Sequence, residues 1–157
     1  MRAETKIAFG CYFTAVFAQA AAGAVYLLRQ AFMPYHAVAA GMPWRDVPAS
    51  LQVLILALMR IWGGASIILA LALFILLFIP FREGQGWAFW AVPLLLLTNY
   101  AAMSYAMAQV DLNTSADPPW AFVLGGVFLT VTACVLTVAG HKKEVNPDQR
   151  KICGKSL

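Results

Sequence analysis

Residues Leu51–Ile79 read LQVLILALMRIWGGASIILALALFILLFI, and the only charge in that run is Arg60. A helix that crosses the hydrocarbon core of a bilayer needs about 20 mostly apolar residues. This run exceeds that length. It lacks the strict apolar–polar alternation of a membrane β-strand. Three more stretches meet the same test, Ile7–Leu28, Trp87–Val110 and Trp120–Gly140. Polar joints with Gly and Pro separate them. The sequence therefore predicts an all-α integral membrane protein, a four-helix transmembrane bundle. Residues 1–157 are expected to form a single transmembrane domain, with 141–157 as a tail.

Composition agrees. The 157 residues are 62% hydrophobic and 11% charged, against roughly 25% charged in an ordinary soluble domain. A soluble fold of this size keeps much of its surface in water and cannot hide so much apolar side chain. Lipid accepts that surface directly. No repeat or low-complexity segment marks a second domain.

The first run also has features of a secretory signal, with Arg2 and Lys6 ahead of an apolar core and Ala18-Gln19-Ala20 as a cleavage-like site. Its apolar stretch continues to Leu28, past the usual short core, so a retained spanning helix is expected. Lys and Arg set the expected orientation. The first residues carry Arg2 and Lys6, and the joint after the second span carries Arg82. The tail carries Lys142, Lys143, Arg150, Lys151 and Lys155. Four crossings put these three regions on one side. The other side has Arg29 and Arg45, and its second joint, Asp111 to Pro119, has no Lys or Arg. The expectation is an inner-membrane protein with both termini cytoplasmic. The net charge of +4 resides mostly in the tail, and so short a cluster does not point to nucleic acid.

Local signals predict the boundaries. Asp46 and Asp117 are placed to cap the second and fourth spans, and Pro118 and Pro119 suit a first turn. Pro80 is expected to end the second span. Gly84 and Gly86 predict a tight turn, with the second and third spans as antiparallel neighbours. Pro93 removes one hydrogen bond inside the third span and is expected to bend it.

The first outer joint, QAFMPYHAVAAGMPWRDVPAS (residues 30–50), is long for a connection in a bundle and rich in aromatic and Met side chains. A partly ordered joint is expected, lying on the membrane surface or folded as a lid over the helix ends. Trp44, Tyr35 and Trp120 suit an interfacial aromatic belt. Arg60 lies about nine residues into the second run, roughly 13 Å along it. It either snorkels to the interface or pairs internally, with Asp111 as the natural counter-ion. Thr98, Asn99, Tyr100, Ser104, Tyr105 and Gln109 of the third run, and Gln19 of the first, are packing glue or the lining of a polar pocket. The candidate ligand-binding set is Tyr35, His36, Trp44, Arg60, Asn99, Tyr100, Tyr105 and Asp111. No residue is assigned a catalytic role.

Cofactor signatures are absent from the sequence. His36 and His141 fall at opposite ends of the spans and cannot bracket one haem. Cys11, Cys134 and Cys153 form no C-x-x-C pair, and no phosphate-binding glycine loop occurs. No cofactor and no metal site are predicted. Small residues in the first, second and fourth spans, including Gly23, Gly63-Gly64 and Gly125-Gly126, favour close helix contacts within the bundle or with another subunit.

Met33-Pro34-Tyr35-His36, Gly41 with Trp44, Arg60 with Gly63-Gly64, and Pro80-Phe81-Arg82 with Gly86-Trp87-Ala88 together give a resemblance. The middle of the chain resembles small bacterial four-helix membrane proteins, loosely of the DoxX-like kind. That resemblance implies the fold and no particular activity. Membrane glutathione-transferase-like proteins have a similar size, but their acidic and Arg/Asn motif on the second helix is missing. Three functions are open to such a chain. It is a non-catalytic accessory subunit of a membrane complex, a binder or carrier of a small lipophilic ligand in an outward-facing cavity, or an enzyme on a lipid or isoprenoid-like substrate. The last would use His36, Arg60 and Asp111. The expected partners are the bilayer and other membrane subunits, or a second copy.

Overall fold

A computed structural model describes the backbone of residues 3–145 and the side chains of residues 3–141. In chain order the elements are α1 (Ala3–Leu28), α2 (Pro34–Ala40), a 3-10 turn (Trp44–Asp46), α3 (Ala49–Leu76), a π turn (Leu77–Phe81), α4 (Ala88–Asn113) and α5 (Trp120–Val145). Four of the helices are long and apolar enough to span a membrane, and no strand occurs among the described residues. Between 22% and 33% of each spanning stretch is buried inside the protein. Most of the apolar surface, including Ile68, Leu94 and Phe128, therefore faces outward. That is stable in lipid, where outward Leu and Ile cost nothing.

Helix α1 is central. It packs on α3 along one side and on α5 along the other, and α4 packs on α5. The expectation that the second and third spans are close neighbours is corrected here. α3 and α4 meet chiefly through the π turn and little beyond it. The reason is side-chain size. Gly23 and Gly63 let the backbones of α1 and α3 touch, and Gly126 of α5 receives the ring of Tyr100 from α4. Those small-residue contacts decide the pairings. At the turn end, Phe81 packs edge-on against Tyr12, 5.7 Å between centroids, and against Phe89, 5.1 Å.

These contacts also fix the relative heights of the helices. Gly63 lies beside Gly23 and Leu27, and Gly140 lies beside Glu4 and Thr5. Following the antiparallel pairs outward, Arg60 comes level with Leu28 and Arg29, and Asp111 lies near the same level. At the other end Lys6, Arg82 and His141 share a level. The rise from Lys6 to Arg29 is roughly 35 Å, and that from Arg60 to Arg82 roughly 33 Å, at 1.5 Å per residue. A hydrocarbon core is about 30 Å thick. Two belts of charge thus stand about one core thickness apart. The residues of α3 ahead of Arg60 rise roughly 16 Å past its belt.

Several boundaries differ from the sequence reading. α1 is already helical at Ala3, four residues before the apolar run, because polar residues at an interface continue a helix freely. Pro80 lies inside the terminal π turn, and the helical path continues to Phe81. α3 starts after Pro48 with no side-chain cap. Asp46 sits in the 3-10 turn instead, and its carboxylate is 3.6 Å from Arg45 Nε. Asp117 makes no capping hydrogen bond to α5. The Thr114 hydroxyl accepts from the Ala116 N–H in that joint. α4 runs unbroken through Pro93, whose ring is buried.

Candidate functional site

The joint between α1 and α3 is ordered and docks on the overhanging end of α3. Its α2 helix opens with Met33-Pro34, since Pro suits a first helical turn. It closes at Gly41, whose φ of 67° is left-handed and favours glycine. Phe32 and Val47 from the joint and Met59 from α3 form a small buried cluster, flanked by Tyr26, Trp44 and Ile55. The Gln52 side-chain amide donates to the carbonyls of Trp44 and Val47, both at 3.0 Å. The overhang is therefore braced along one side.

Aromatic rings do most of the bracing. The Tyr26 and Tyr35 hydroxyls share a hydrogen bond of 2.6 Å. Tyr26 stacks at a tilt on Trp62, 4.4 Å between centroids, and Phe32 meets Trp44 edge-on at 4.9 Å. His36 lies 4.1 Å from the Tyr35 ring and also faces Tyr26 and Phe32. The Met33 N–H donates to His36 Nδ1 at 3.4 Å, which leaves the proton of the neutral ring on Nε2. Burial lowers the His36 pKa, and the nearby Arg29 cation lowers it further. Burial raises the Tyr35 pKa, as do its bond to Tyr26 and the charge that Tyr26 would carry.

Seven of the eight sequence candidates fall into two groups, and Arg60 stands apart on α3. Tyr35, His36 and Trp44 stand together in the docked joint. Asn99, Tyr100, Tyr105 and Asp111 lie along α4, and no hydrogen bond, ion pair or ring contact among the described residues joins the two groups. Tyr100 is buried against Gly126, whereas Tyr105 is 70% exposed. Asn99 donates to Met103 Sδ at 3.6 Å, an internal contact of α4. Arg60 and Asp111 are both exposed. They form no ion pair with each other, whereas Arg45 pairs with Asp46. The lid covers the α1–α3 pair and not the polar residues of α4, because the aromatic contacts draw it to Tyr26 and Met59.

Sequence reasoning passed over Tyr26 and Trp62, which brace the joint. Tyr26 is a polar-tipped aromatic near the end of an apolar run, and that interfacial signal was available for it, whereas Trp62 lies well inside its run and gave none. It also passed over the outward stripe of α3 formed by Leu51, Leu54, Leu58 and Ile61. All four are exposed, at the i, i+3, i+7 spacing of one helix face. Three of the four lie above the Arg60 belt. Among the described residues no group of three His, Cys, Asp or Glu side chains gathers to hold a metal. No protein-family model, curated protein or solved structure matches the chain.

Proposed function

We propose that this multi-pass membrane protein is a non-catalytic accessory subunit of a membrane complex, and that it docks its partner through the overhanging end of α3. The observation behind this reading is the stripe Leu51–Leu54–Leu58, which continues the lipid-facing side of α3 past the level of Arg29 and Arg60. Each large apolar side chain left in water costs about 1.5–3 kcal/mol relative to burial. The opposite side of the same segment is packed by Phe32, Val47 and Trp44, so the stripe is held rigid and in place. Rigid, exposed apolar surface beyond the bilayer core suits a protein partner. The partner is a second membrane subunit whose own apolar helix rises to the same height. The reading includes an inner-membrane location with both termini in the cytoplasm, supported by the bias of Lys and Arg toward the first residues, the Arg82 joint and the tail.

Gentle-detergent purification from the native membrane, with a photo-crosslinker at position 54, tests this. A single heterologous membrane protein crosslinked at position 54 and lost on Leu58→Asp is the expected result. Crosslinks only to lipid, or only to a second copy of the chain, overturn the accessory-subunit reading.

A further inference from the structure

The end of the bundle opposite the joint carries a cavity of about 440 Å³ between the start of α4 and the end of α5. We propose that this cavity is a binding site for an anionic phospholipid, with an acyl chain against the aromatic wall and the phosphate at His141.

The wall is built from Trp87, which precedes α4, Phe89 and Trp90 of α4, and Val138 of α5. Trp87 and Trp90 are largely exposed, so the cavity opens sideways, toward the bilayer. Its size lies in the range of small-molecule sites. It holds a headgroup with the first part of a chain, and the remainder of the lipid stays in the membrane. The height is also right. His141 stands in the Lys6–Arg82 belt, at the depth of phosphate groups.

Hydrogen-bond accounting leaves His141 and the Trp90 indole N–H as the side-chain donors of the lining open to a ligand. Thr137 spends its hydroxyl proton on the Ala133 carbonyl at 2.8 Å, and the Trp87 indole N–H on Gln85 Oε1 at 2.7 Å. Neither has a proton left for a ligand. The His141 ring is fixed edge-on against Phe89, 5.6 Å between centroids, and Phe89 in turn meets Phe81, the residue before Arg82. His141 is exposed and free to donate to a phosphate oxygen. Charge selects the sign of the headgroup. Lys6 and Arg82 flank this end, and Lys142 and Lys143 follow His141 directly in the sequence. Against Lys6, Arg82, Lys142 and Lys143 stand Glu4, Glu83 and Glu144 at this end of the chain, so cations are in excess by one. An aromatic-lined recess between helices, with His141 at its rim and Lys6 and Arg82 at the same level, suits an anionic headgroup.

Native mass spectrometry of the detergent-solubilised full chain, titrated with phosphatidylglycerol or phosphatidylcholine, tests the site. Phosphatidylglycerol is expected to bind about tenfold tighter, and His141→Ala with Trp90→Ala to erase the difference. A second measurement needs no variant. Brominated phosphatidylglycerol is expected to quench the tryptophan fluorescence of the unmutated chain more than brominated phosphatidylcholine does. Equal retention and equal quenching of the two lipids overturn the proposal. Displacement of the lipid by millimolar inorganic phosphate also overturns it, since the site then takes a free anion.

Discussion

Gly23 of α1 and Gly63 of α3 meet backbone to backbone. A Cβ on Gly63 would stand 2.6 Å from the Gly23 carbonyl oxygen and 2.7 Å from the Leu27 nitrogen. The reciprocal Cβ on Gly23 would stand 2.9 Å from the Gly63 carbonyl oxygen. Every near atom at Gly63 is main chain, which cannot swing aside as a side chain can. The helices must separate, and the height of α3 against α1 is set by this contact.

Gly63→Ala is therefore expected to lower stability by about 1–3 kcal/mol, the usual cost of overpacking. Gly64→Ala is the control. A Cβ there meets nothing within 4 Å, and replacing a helical Gly by Ala favours the helix by about 0.5–1 kcal/mol. Denaturant unfolding in mixed micelles reads both. Equal effects at the two positions would show that the close approach is not what joins α1 to α3.

Gln19 presents the opposite case. It is fully buried in α1, and both its side-chain amide atoms lack a hydrogen-bond partner. An unpaired buried polar group costs about 1–3 kcal/mol, while a shape-matched apolar replacement removes that cost. Gln19→Met keeps the length of the side chain and is expected to raise the melting temperature. A drop in melting temperature would reveal a partner for the amide, such as a bound water.

The docked joint is expected to loosen in acid. The His36 pKa is lowered in the fold, by burial first and by the Arg29 cation second. An unfolded joint therefore binds its proton at a higher pH than the folded one. Above the ordinary histidine value of about 6.5 the two states carry equal charge at this residue, and docking keeps its full stability. As pH falls through that value the undocked state gains protons first, so stability is lost. Protonation also removes the Nδ1 acceptor used by the Met33 N–H. Hydrogen exchange of the Ala37–Gly41 amides is expected to speed up between pH 7 and pH 5, beyond the intrinsic pH effect, and His36→Phe to abolish the excess. A pH-independent excess would remove His36 from the docking balance.

The fold was legible because length and composition alone identify spanning helices. Leu51–Ile79 needed no partner to be read as a span. Pairing was harder to read. The short joint at Gly84 and Gly86 suggested that its two helices pack along their length, whereas Gly23–Gly63 and Tyr100–Gly126 pair α3 and α4 with other helices. Those contacts depend on which small residues face each other, and one sequence does not show facing. The joint was expected to be ordered by its Phe, Met and Trp content, and it is. The candidate ligand-binding set grouped it with Tyr105 and Asp111 of α4. Ring packing against Tyr26 and Trp62 decides the target instead. From its position in an apolar run, Arg60 was left open between snorkelling and an internal partner. Its height depends on the overhang of α3, which only the register with α1 reveals.

That overhang leads to the last prediction. If Arg29 and Arg60 mark one face of the hydrocarbon core, α3 is in lipid below Arg60 and outside the core above it. A single cysteine at position 54 is then expected to react with a membrane-impermeant maleimide, and one at position 68 to be protected, although Leu54 and Ile68 are both exposed in the isolated chain. The native Cys11, Cys134 and Cys153 are replaced by Ser for this measurement. In intact cells the label at position 54 also reports sidedness, since the joint face is expected outside. A cysteine at Ser115 is expected to behave like position 54, and one at Glu83 to react only after the cells are opened. Protection of position 54 together with position 68 would place Arg60 inside the core and remove the belt. Labelling at Glu83 but not at Ser115 in intact cells would reverse the orientation while leaving the overhang in place.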